Sequence, residues 1–329
     1  MKTISIFNQK GGVGKTTSVV NLAVSLSKLN KKVLVIDFDP QANTTTGLGF
    51  DKNELEKSIY KMFYDEGDNY KDYILKSEEG PYLIASENSL SGLEVELVSL
   101  DQEERLKMLS QIIEEIKKDF DIILIDCPPS LGLLSLNALV ASDSIIIPIQ
   151  TEYYALEGVS ELLKTYQTIK ESIKEDLEIE GVLLCMFDKD TDLSYEVVEE
   201  VKSFFKEKVF STMIPRNIKL AEAPSFGKSV ISYDEKSKGA RAYLSLGNEL
   251  VENIFGKKEK NSKIEEKNDK LNNAEIKNSE KTKEIRDEKS KEDKNIVKND
   301  KKENSDETIV KKNKFSFNQN KLVNNEKRD

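Results

Sequence analysis

Short apolar runs alternate with segments of helical periodicity between residues 1 and 255 of this chain. The apolar runs predict strands at 2–7, 32–36, 82–85, 121–125, 144–149 and 181–186. The segments between them predict helices near 15–29, 103–118, 155–174, 194–206 and 238–254. This alternation indicates a mostly parallel sheet, and strands as apolar as Ile145-Ile146-Ile147 favour burial on both faces. The pattern therefore predicts an α/β, doubly wound fold with helices on both faces of the sheet.

The apolar stripe disappears from Lys257 onward, where Lys, Glu, Asn, Asp and Ser dominate. Residues 257–329 carry 22 Lys and Arg against 17 Asp and Glu, a net charge of +5, which leaves −15 for residues 1–256. A segment so poor in apolar side chains cannot offset the entropy of ordering its backbone. We therefore expect a folded unit, 1–256, and a charged, disordered tail, 257–329. Basic clusters in the tail would attract nucleic acid with a strong salt dependence.

The strongest chemical signal follows the first apolar run, in the segment Lys10-Gly11-Gly12-Val13-Gly14-Lys15-Thr16-Thr17. Its glycines let successive backbone N–H groups point at phosphate oxygens, and a helix starting near Lys15 adds the positive end of its dipole. Lys15 would neutralise the β- and γ-phosphates, and the Thr16 hydroxyl would ligate Mg²⁺. An ordinary tight turn is the alternative. Gln9 replaces the usual first glycine, and the extra Lys10 is either a solvated lysine or one that reaches a second subunit's nucleotide.

Two further apolar runs end on carboxylates. One leads into Asp37-Phe38-Asp39-Pro40-Gln41 and the other into Asp126-Cys127-Pro128-Pro129. In a parallel sheet these strand ends share the edge that carries the phosphate loop. Asp126 is the predicted Mg²⁺ partner, acting through water. Asp39 is predicted to orient the attacking water, with capping of the next helix as the alternative.

The composition excludes several other chemistries. Histidine is absent, which excludes a Ser-His-Asp mechanism. Cys127 and Cys185 lie far apart beside apolar strands, so we expect buried, reduced thiols rather than a metal site. No run of 18 apolar residues occurs and no signal peptide precedes the first strand, so we expect a soluble, cytoplasmic protein without membrane attachment.

Taken together, these motifs resemble the ParA/Soj partition ATPases, a deviant Walker A group of P-loop NTPases. The resemblance extends over roughly residues 1–255 and is carried by Lys10 to Thr17, Val35 to Asn43, Asp126 to Ser130, Ile214 to Asn217 and Glu222 to Gly227. Several separate motifs in the right order are far more specific than the phosphate loop alone. The resemblance implies ATP and Mg²⁺ as cofactors, and the hydrolysis of ATP to ADP and phosphate.

The resemblance also implies roles for individual residues. Lys10 matches the lysine that contacts the other subunit's ATP across a nucleotide-sandwich dimer, and Asp39 matches the residue needed for hydrolysis. Asp37 and Asp126 match acidic positions around the metal, where Thr16 also lies. The implied phosphate and adenine contacts are Lys10, Gly11, Gly12, Val13, Gly14, Lys15, Thr16, Thr17, Pro215, Arg216 and Asn217.

In such proteins the ATP-bound homodimer binds DNA without sequence preference, and a ParB/Spo0J-type partner stimulates hydrolysis, which implies a nucleoid-associated protein. This chain departs from the pattern at Asp190, where Soj-like sequences usually have an arginine that contributes to DNA binding. Lys189 is the candidate replacement, and Lys219 stands where a second DNA-binding arginine is expected. A solvated face is the alternative for each lysine.

Three functions are therefore compared. The favoured one is an ATP-dependent dimerising switch for chromosome or plasmid partitioning. The second is a MinD-like membrane-associated positioning ATPase, which the polar, Asn-rich residues 315–323 do not favour as an amphipathic membrane helix. The third is a nucleotide-dependent regulatory scaffold in which hydrolysis matters little.

Overall fold

A computed structural model describes residues 1–65, 69–101, 103–152 and 155–256. The predicted tail, 257–329, lies outside the described residues, so its disorder and its DNA contacts stay predictions. Within the described ranges, every helix is too short or too polar to cross a bilayer.

The described strands form one seven-stranded sheet. They are β1 (Lys2–Ile6), β2 (Val33–Asp37), β3 (Leu75–Lys76), β4 (Tyr82–Ile84), β5 (Ile122–Asp126), β6 (Ser144–Gln150) and β7 (Glu178–Cys185). Their order across the sheet is β3-β4-β2-β5-β1-β6-β7. Every neighbouring pair is parallel except β3 and β4, which are antiparallel. The predicted doubly wound, mostly parallel sheet is confirmed.

Helices lie between these strands and after the last one. They are α1 (Lys15–Lys28), α2 (Asn43–Gly47), α3 (Ile59–Met62), α4 (Leu90–Leu97), α5 (Glu104–Ile116), α6 (Leu133–Val140), α7 (Ala155–Ser172), α8 (Asp192–Phe205), α9 (Ile218–Glu222), α10 (Val230–Tyr233) and α11 (Lys238–Val251). Short 3₁₀ turns occupy Tyr70–Tyr73, Lys117–Asp119, Lys206–Lys208 and Ala223–Phe226, and a π-helical turn follows α11 at Glu252–Gly256.

The two faces of the sheet carry separate hydrophobic cores. Alternate residues of β2 divide between them, because successive side chains of a strand point to opposite faces. Leu34 and Ile36 pack into the core beneath α4 to α8, whereas Val33 and Val35 pack into the core beneath α1, α10 and α11. Burial on both faces explains the continuously apolar strands.

The differences from the predicted elements have physical causes. β7 begins at Glu178, three residues before the predicted start at 181. Polar contacts hold these first residues of β7, and an apolar pattern does not reveal them. Glu180 accepts a hydrogen bond from Ser144 and forms an ion pair with Lys2 at 3.2 Å. The sequence pattern also missed the two-residue β3 and the short helices α2, α3, α4, α9 and α10. It missed α6 too, whose apolar sequence has little polar face to reveal its period.

Candidate nucleotide-binding site

The phosphate loop lies between β1 and α1. Gly12 and Gly14 have φ values of 74° and 99°, a left-handed conformation that glycine adopts without steric strain. Helix α1 then begins at Lys15, and the unpaired N–H groups of its first turn face the loop. Together the turn and the helix end form the anion-binding concavity that the glycine pattern predicts.

The Lys15 side chain is held inside this loop. Its Nζ donates to the carbonyl oxygen of Lys10 at 3.1 Å, and only 7% of the residue is exposed. Burial lowers the pKa of the Lys15 ammonium, and the carboxylates of Asp126 and Asp39 oppose that effect. The charge therefore has carboxylates nearby and would be further stabilised by a phosphate.

Asp126, the last residue of β5, contacts both the phosphate-loop side of the site and helix α2. Its Oδ2 accepts one hydrogen bond from the Thr16 hydroxyl at 2.8 Å and another from the Thr44 hydroxyl at 2.7 Å. The residue is completely buried, and burial raises the pKa of its carboxyl group despite those two donors. The predicted neighbours Thr16 and Asp126 are thus in direct contact.

Asp37 lies beside Asp126 in the sheet register. Its Oδ2 accepts from the backbone N–H of Thr45 at 2.7 Å and from the Thr45 hydroxyl at 2.6 Å. Its Oδ1 accepts from the backbone N–H of Asp39 at 3.3 Å. Burial, and then the charge of Asp126, raises the pKa of Asp37. These contacts indicate that Asp37 fixes the segment after β2, and its place around the metal stays a prediction.

Asp39 begins the turn between β2 and α2. Its Oδ1 accepts from the backbone N–H of Gln41 at 2.9 Å, and its carbonyl oxygen accepts from the Ser86 hydroxyl at 2.7 Å. Helix α2 begins at Asn43 with Ala42 at its N-cap, so Asp39 does not have the helix-capping role that the sequence offered as an alternative. Only one carboxylate oxygen of Asp39 accepts this hydrogen bond, so the other oxygen could still orient an attacking water.

The donor set fits Mg²⁺. The Oδ1 atom of Asp126 is buried and has no hydrogen-bond partner among the described residues. An unpaired carboxylate oxygen is costly to bury. A water molecule of a hydrated Mg²⁺ would supply the missing donor, and the Thr16 hydroxyl lies on the other side of the same carboxylate.

A cavity of about 370 Å³ opens beside the phosphate loop. It is lined by Gly14, Thr17, Cys185, Met186, Ile214, Pro215, Arg216, Asn217, Ile218, Leu220, Ala221 and Tyr243. The predicted base segment therefore reaches the same cavity as the phosphate loop. Asn217 caps α9 through its Oδ1, and Arg216 forms an ion pair with Glu152.

Both cysteines are buried and free, as expected. Burial raises the pKa of each thiol to about 12, so neither is a reactive thiolate at neutral pH.

The Lys10 side chain is exposed on the outer rim of the loop. Its backbone is fixed, since the Lys10 N–H donates to Asn8 Oδ1 at 3.0 Å and Asn8 in turn donates to the Pro148 carbonyl. A second cavity of about 460 Å³ lies beside it, with Val13, Leu131 and Leu162 among its lining residues. The Lys10 side chain is thus on the surface, whereas the Lys15 side chain is buried inside the loop.

The two candidate DNA-binding lysines are both next to carboxylates. Lys189 lies 3.9 Å from Asp190, and Lys219 donates to Glu222 at 2.8 Å. The hydrogen bond with Glu222 raises the pKa of Lys219, and its effect on Glu222 is the reverse. Tyr233 also donates to Glu222 at 3.0 Å. Local carboxylates therefore offset the positive charge at both positions.

One backbone contact connects the segment after β2 to the segment after α9. Gly49 and Gly227 have φ values of 91° and 61°, and a Cβ built on Gly49 would lie 3.2 Å from the Gly227 carbonyl oxygen. A Cβ on Gly227 would lie 3.1 Å from the Cα of Gly49. Side chains are therefore excluded at this contact.

Sequence reasoning missed several residues of the site. Thr44, Thr45, Asn8 and Ser86 are buried and hold its carboxylates and loops. The available signal was the run Asn43-Thr44-Thr45-Thr46 directly behind the Asp-Pro turn. Hydroxyl groups supply the hydrogen-bond donors that buried carboxylate oxygens need.

A parallel sheet with a glycine-rich loop after β1, a buried lysine on the first helical turn and an aspartate ending a central strand defines a P-loop nucleotide-binding protein. Residues 1–179 match the family model described as AAA domain. The sporulation initiation inhibitor protein Soj of Bacillus subtilis is 49% identical over 253 residues, 77% of this chain and 99% of that protein. The chromosome partitioning protein ParA of Myxococcus xanthus is 46% identical over 252 residues, 76% of this chain and 88% of that protein.

A solved structure supports the nucleotide-binding fold. Cobyrinic acid a,c-diamide synthase of Mycobacterium smegmatis, with bound ADP and magnesium, has a TM-score of 0.66 and 32% identity, covering 77% of this chain and 94% of that one. The chain belongs to the ParA/Soj family of partition ATPases.

Proposed function

We propose that this protein is an ATP-dependent dimerising switch for chromosome or plasmid partitioning, which hydrolyses ATP to ADP and phosphate. The observation that carries the proposal is the convergence of the Thr16 and Thr44 hydroxyls on Asp126 beside the buried Lys15. This arrangement links the phosphate loop, the metal position and the segment that carries Asp39. The similarity to partition proteins along the whole described unit supports the biological role.

The phosphates would be bound by the backbone of the loop and by Lys15. Mg²⁺ with ATP would supply charge neutralisation at the β- and γ-phosphates. Thr16 would ligate the metal, and Asp126 would orient a metal-bound water through its free Oδ1. Asp39 would orient the attacking water. The base would lie in the cavity lined by Pro215, Arg216 and Asn217.

Lys10 is the proposed contact to the ATP of a second subunit. Its exposed side chain on a fixed backbone supports a contact in trans rather than a second lysine on the same phosphates. We propose that dimer closure then forms a face that binds DNA without sequence preference, with Lys189 and Lys219 as candidate contacts. A ParB/Spo0J-type partner would stimulate hydrolysis and release, and the protein would associate with the nucleoid.

The test uses Asp39→Ala in the full chain, with ATP and with ADP, and Lys15→Ala as the control with weakened nucleotide binding. Light scattering measures dimerisation, and binding to a random-sequence duplex between about 50 and 200 mM salt measures DNA affinity. We expect an ATP-dependent dimer that binds DNA. A variant that stays monomeric with ATP would contradict the switch.

A second arm compares the full chain with a chain that ends after Gly256. ATP-dependent DNA binding that survives truncation supports a binding face on residues 1–256. Binding that disappears with the tail transfers the contact to residues 257–329. An ATP dimer that binds no DNA in either form removes the DNA part of the proposal and favours a membrane or protein partner.

A further inference from the structure

Two adjacent threonines at the start of α2 contact two adjacent strand-end carboxylates. Thr44 donates to Asp126 Oδ2 at 2.7 Å, and Thr45 donates to Asp37 Oδ2 at 2.6 Å. Asp37 and Asp126 are direct neighbours in the register of β2 and β5. All four residues are completely buried. The segment after β2 is therefore attached to the sheet edge at two points, through two different carboxylates.

The two attachments differ in what else they depend on. Thr45 is anchored three times, because its N–H and its hydroxyl both donate to Asp37 and its hydroxyl accepts from the Ser86 N–H at 3.0 Å. Thr44 has one side-chain hydrogen bond, to an oxygen that also accepts from Thr16 of the phosphate loop. Of the two acceptor oxygens, Asp37 Oδ2 and Asp126 Oδ2, only that of Asp126 also accepts from the phosphate loop among the described residues.

This shared oxygen bears on the position of Asp39. Asp39 and Thr44 are five residues apart, in one short turn and the first turn of α2. The Asp39 carbonyl is held by Ser86, and its carboxylate accepts from the Gln41 N–H. A segment so constrained has few ways to move one end without the other. Among the contacts that hold this segment, that of Thr44 is the one that joins it to the oxygen that also accepts from Thr16 of the phosphate loop.

We propose that Thr44 is a positioning residue for hydrolysis, whose hydroxyl ties the Asp39 segment to the aspartate that also contacts Thr16. Thr45 serves as the fixed anchor of that segment, and Thr44 is the contact that responds to the phosphate and metal side. This inference rests on the proposed ATPase function. It adds a residue through which the Asp39 segment is coupled to Asp126.

The test compares Thr44→Val, which keeps the shape and removes the hydroxyl, with Thr44→Ser, which keeps the hydroxyl. Thr46→Val is the matched control, because the Thr46 hydroxyl lies on the same helix but donates to the Ala42 carbonyl at 3.2 Å. We expect Thr44→Val to lower kcat roughly 10- to 100-fold with little change in ATP affinity, since a hydrogen bond to a charged group is lost. Thr44→Ser should restore most of the rate, and Thr46→Val should leave it unchanged.

A second readout needs no nucleotide. Hydrogen exchange of the amides of residues 41–50 in the full chain should accelerate in Thr44→Val and stay near wild type in Thr44→Ser and Thr46→Val. Unchanged exchange and unchanged kcat in Thr44→Val would overturn the inference while leaving the ATPase proposal intact. A wild-type chain without ATPase activity would overturn the proposed function. The exchange result would still test whether the Thr44–Asp126 hydrogen bond holds the Asp39 segment. If Thr44→Val does not fold, Thr44→Ala replaces it in both measurements.

Discussion

The sheet edge around Asp126 and the surface that carries Lys189 and Lys219 are built in opposite ways. At the sheet edge, buried carboxylates accept hydrogen bonds from hydroxyls and backbone N–H groups of several elements. On the surface, each lysine lies beside a carboxylate from its own local segment. Long-range contacts therefore fix the first region, whereas short-range pairs that water and salt weaken shape the second. Removal of one residue should matter greatly at the sheet edge and little on the surface.

The largest expected effect is at Asp39. Asp39→Ala should lower ATP hydrolysis roughly 10²- to 10⁴-fold, because the group that orients the attacking water is lost. Phosphate release measured at saturating ATP tests this. Asp51→Ala is the matched control, because Asp51 also accepts from a backbone N–H two residues ahead, at 2.9 Å, but on the surface. Equal rates in the two variants would contradict a catalytic role for Asp39.

Lys15→Ala should have the next largest effect. We expect ATP affinity to fall on the order of 100-fold, because a charge-assisted contact to phosphate is lost. Isothermal calorimetry measures the affinity directly. Lys61→Ala is the control, since Lys61 also donates to a carbonyl five residues before it, at 2.7 Å, but lies exposed. If Lys15→Ala binds ATP as tightly as wild type, the buried lysine has no role in phosphate binding.

Lys10→Ala tests an exposed residue of the phosphate loop. ATP affinity should stay within a few-fold of wild type, as expected for an exposed side chain. Dimerisation with ATP, measured by analytical ultracentrifugation in the Asp39→Ala background, should be lost. A variant that still dimerises would leave Lys10 as the solvated loop lysine that the sequence also allowed.

The smallest effects are expected among the surface pairs. Glu222→Gln should raise DNA affinity about two- to fivefold, because Lys219 loses a competing carboxylate of modest strength. Asp190→Asn should act in the same direction through Lys189. Fluorescence anisotropy at low and high salt measures both. Glu199→Gln is the control, since it frees Lys202 from a pair of the same spacing. If DNA affinity rises in Glu222→Gln or Asp190→Asn no more than in Glu199→Gln, the rise reflects only the change in net charge.

The sequence predicted the elements whose pattern is self-contained. The strand ends at Asp37 and Asp126 and the glycine turn before Lys15 follow from apolar runs and from a motif with fixed spacing. The hydrogen bond between Thr16 and Asp126 joins residues 110 positions apart, and only the sheet order explains it. A parallel sheet brings such strand ends to one edge, which makes this part of the site predictable.

The rest depends on contacts that no local pattern encodes. Thr44 and Thr45 occupy a run of three similar residues, and the fold alone decides which hydroxyl meets which carboxylate. The pairing of Lys219 with Glu222 could be derived from helical spacing, and its three-residue separation makes it a local contact. The hydrogen bond from Tyr233 to the same Glu222 could not be derived in this way, because Tyr233 lies on another helix.

The contact between Gly49 and Gly227 gives the two regions a mechanical relation. A junction of side chains can absorb a small shift by changing rotamers, whereas two touching backbones have no such freedom. A shift of the chain that follows α2 toward this contact would therefore press directly on the turn after α9, the helix that carries Lys219. Such a contact would pass a movement at the nucleotide-binding edge to the lysine-bearing surface without loss to side-chain rearrangement.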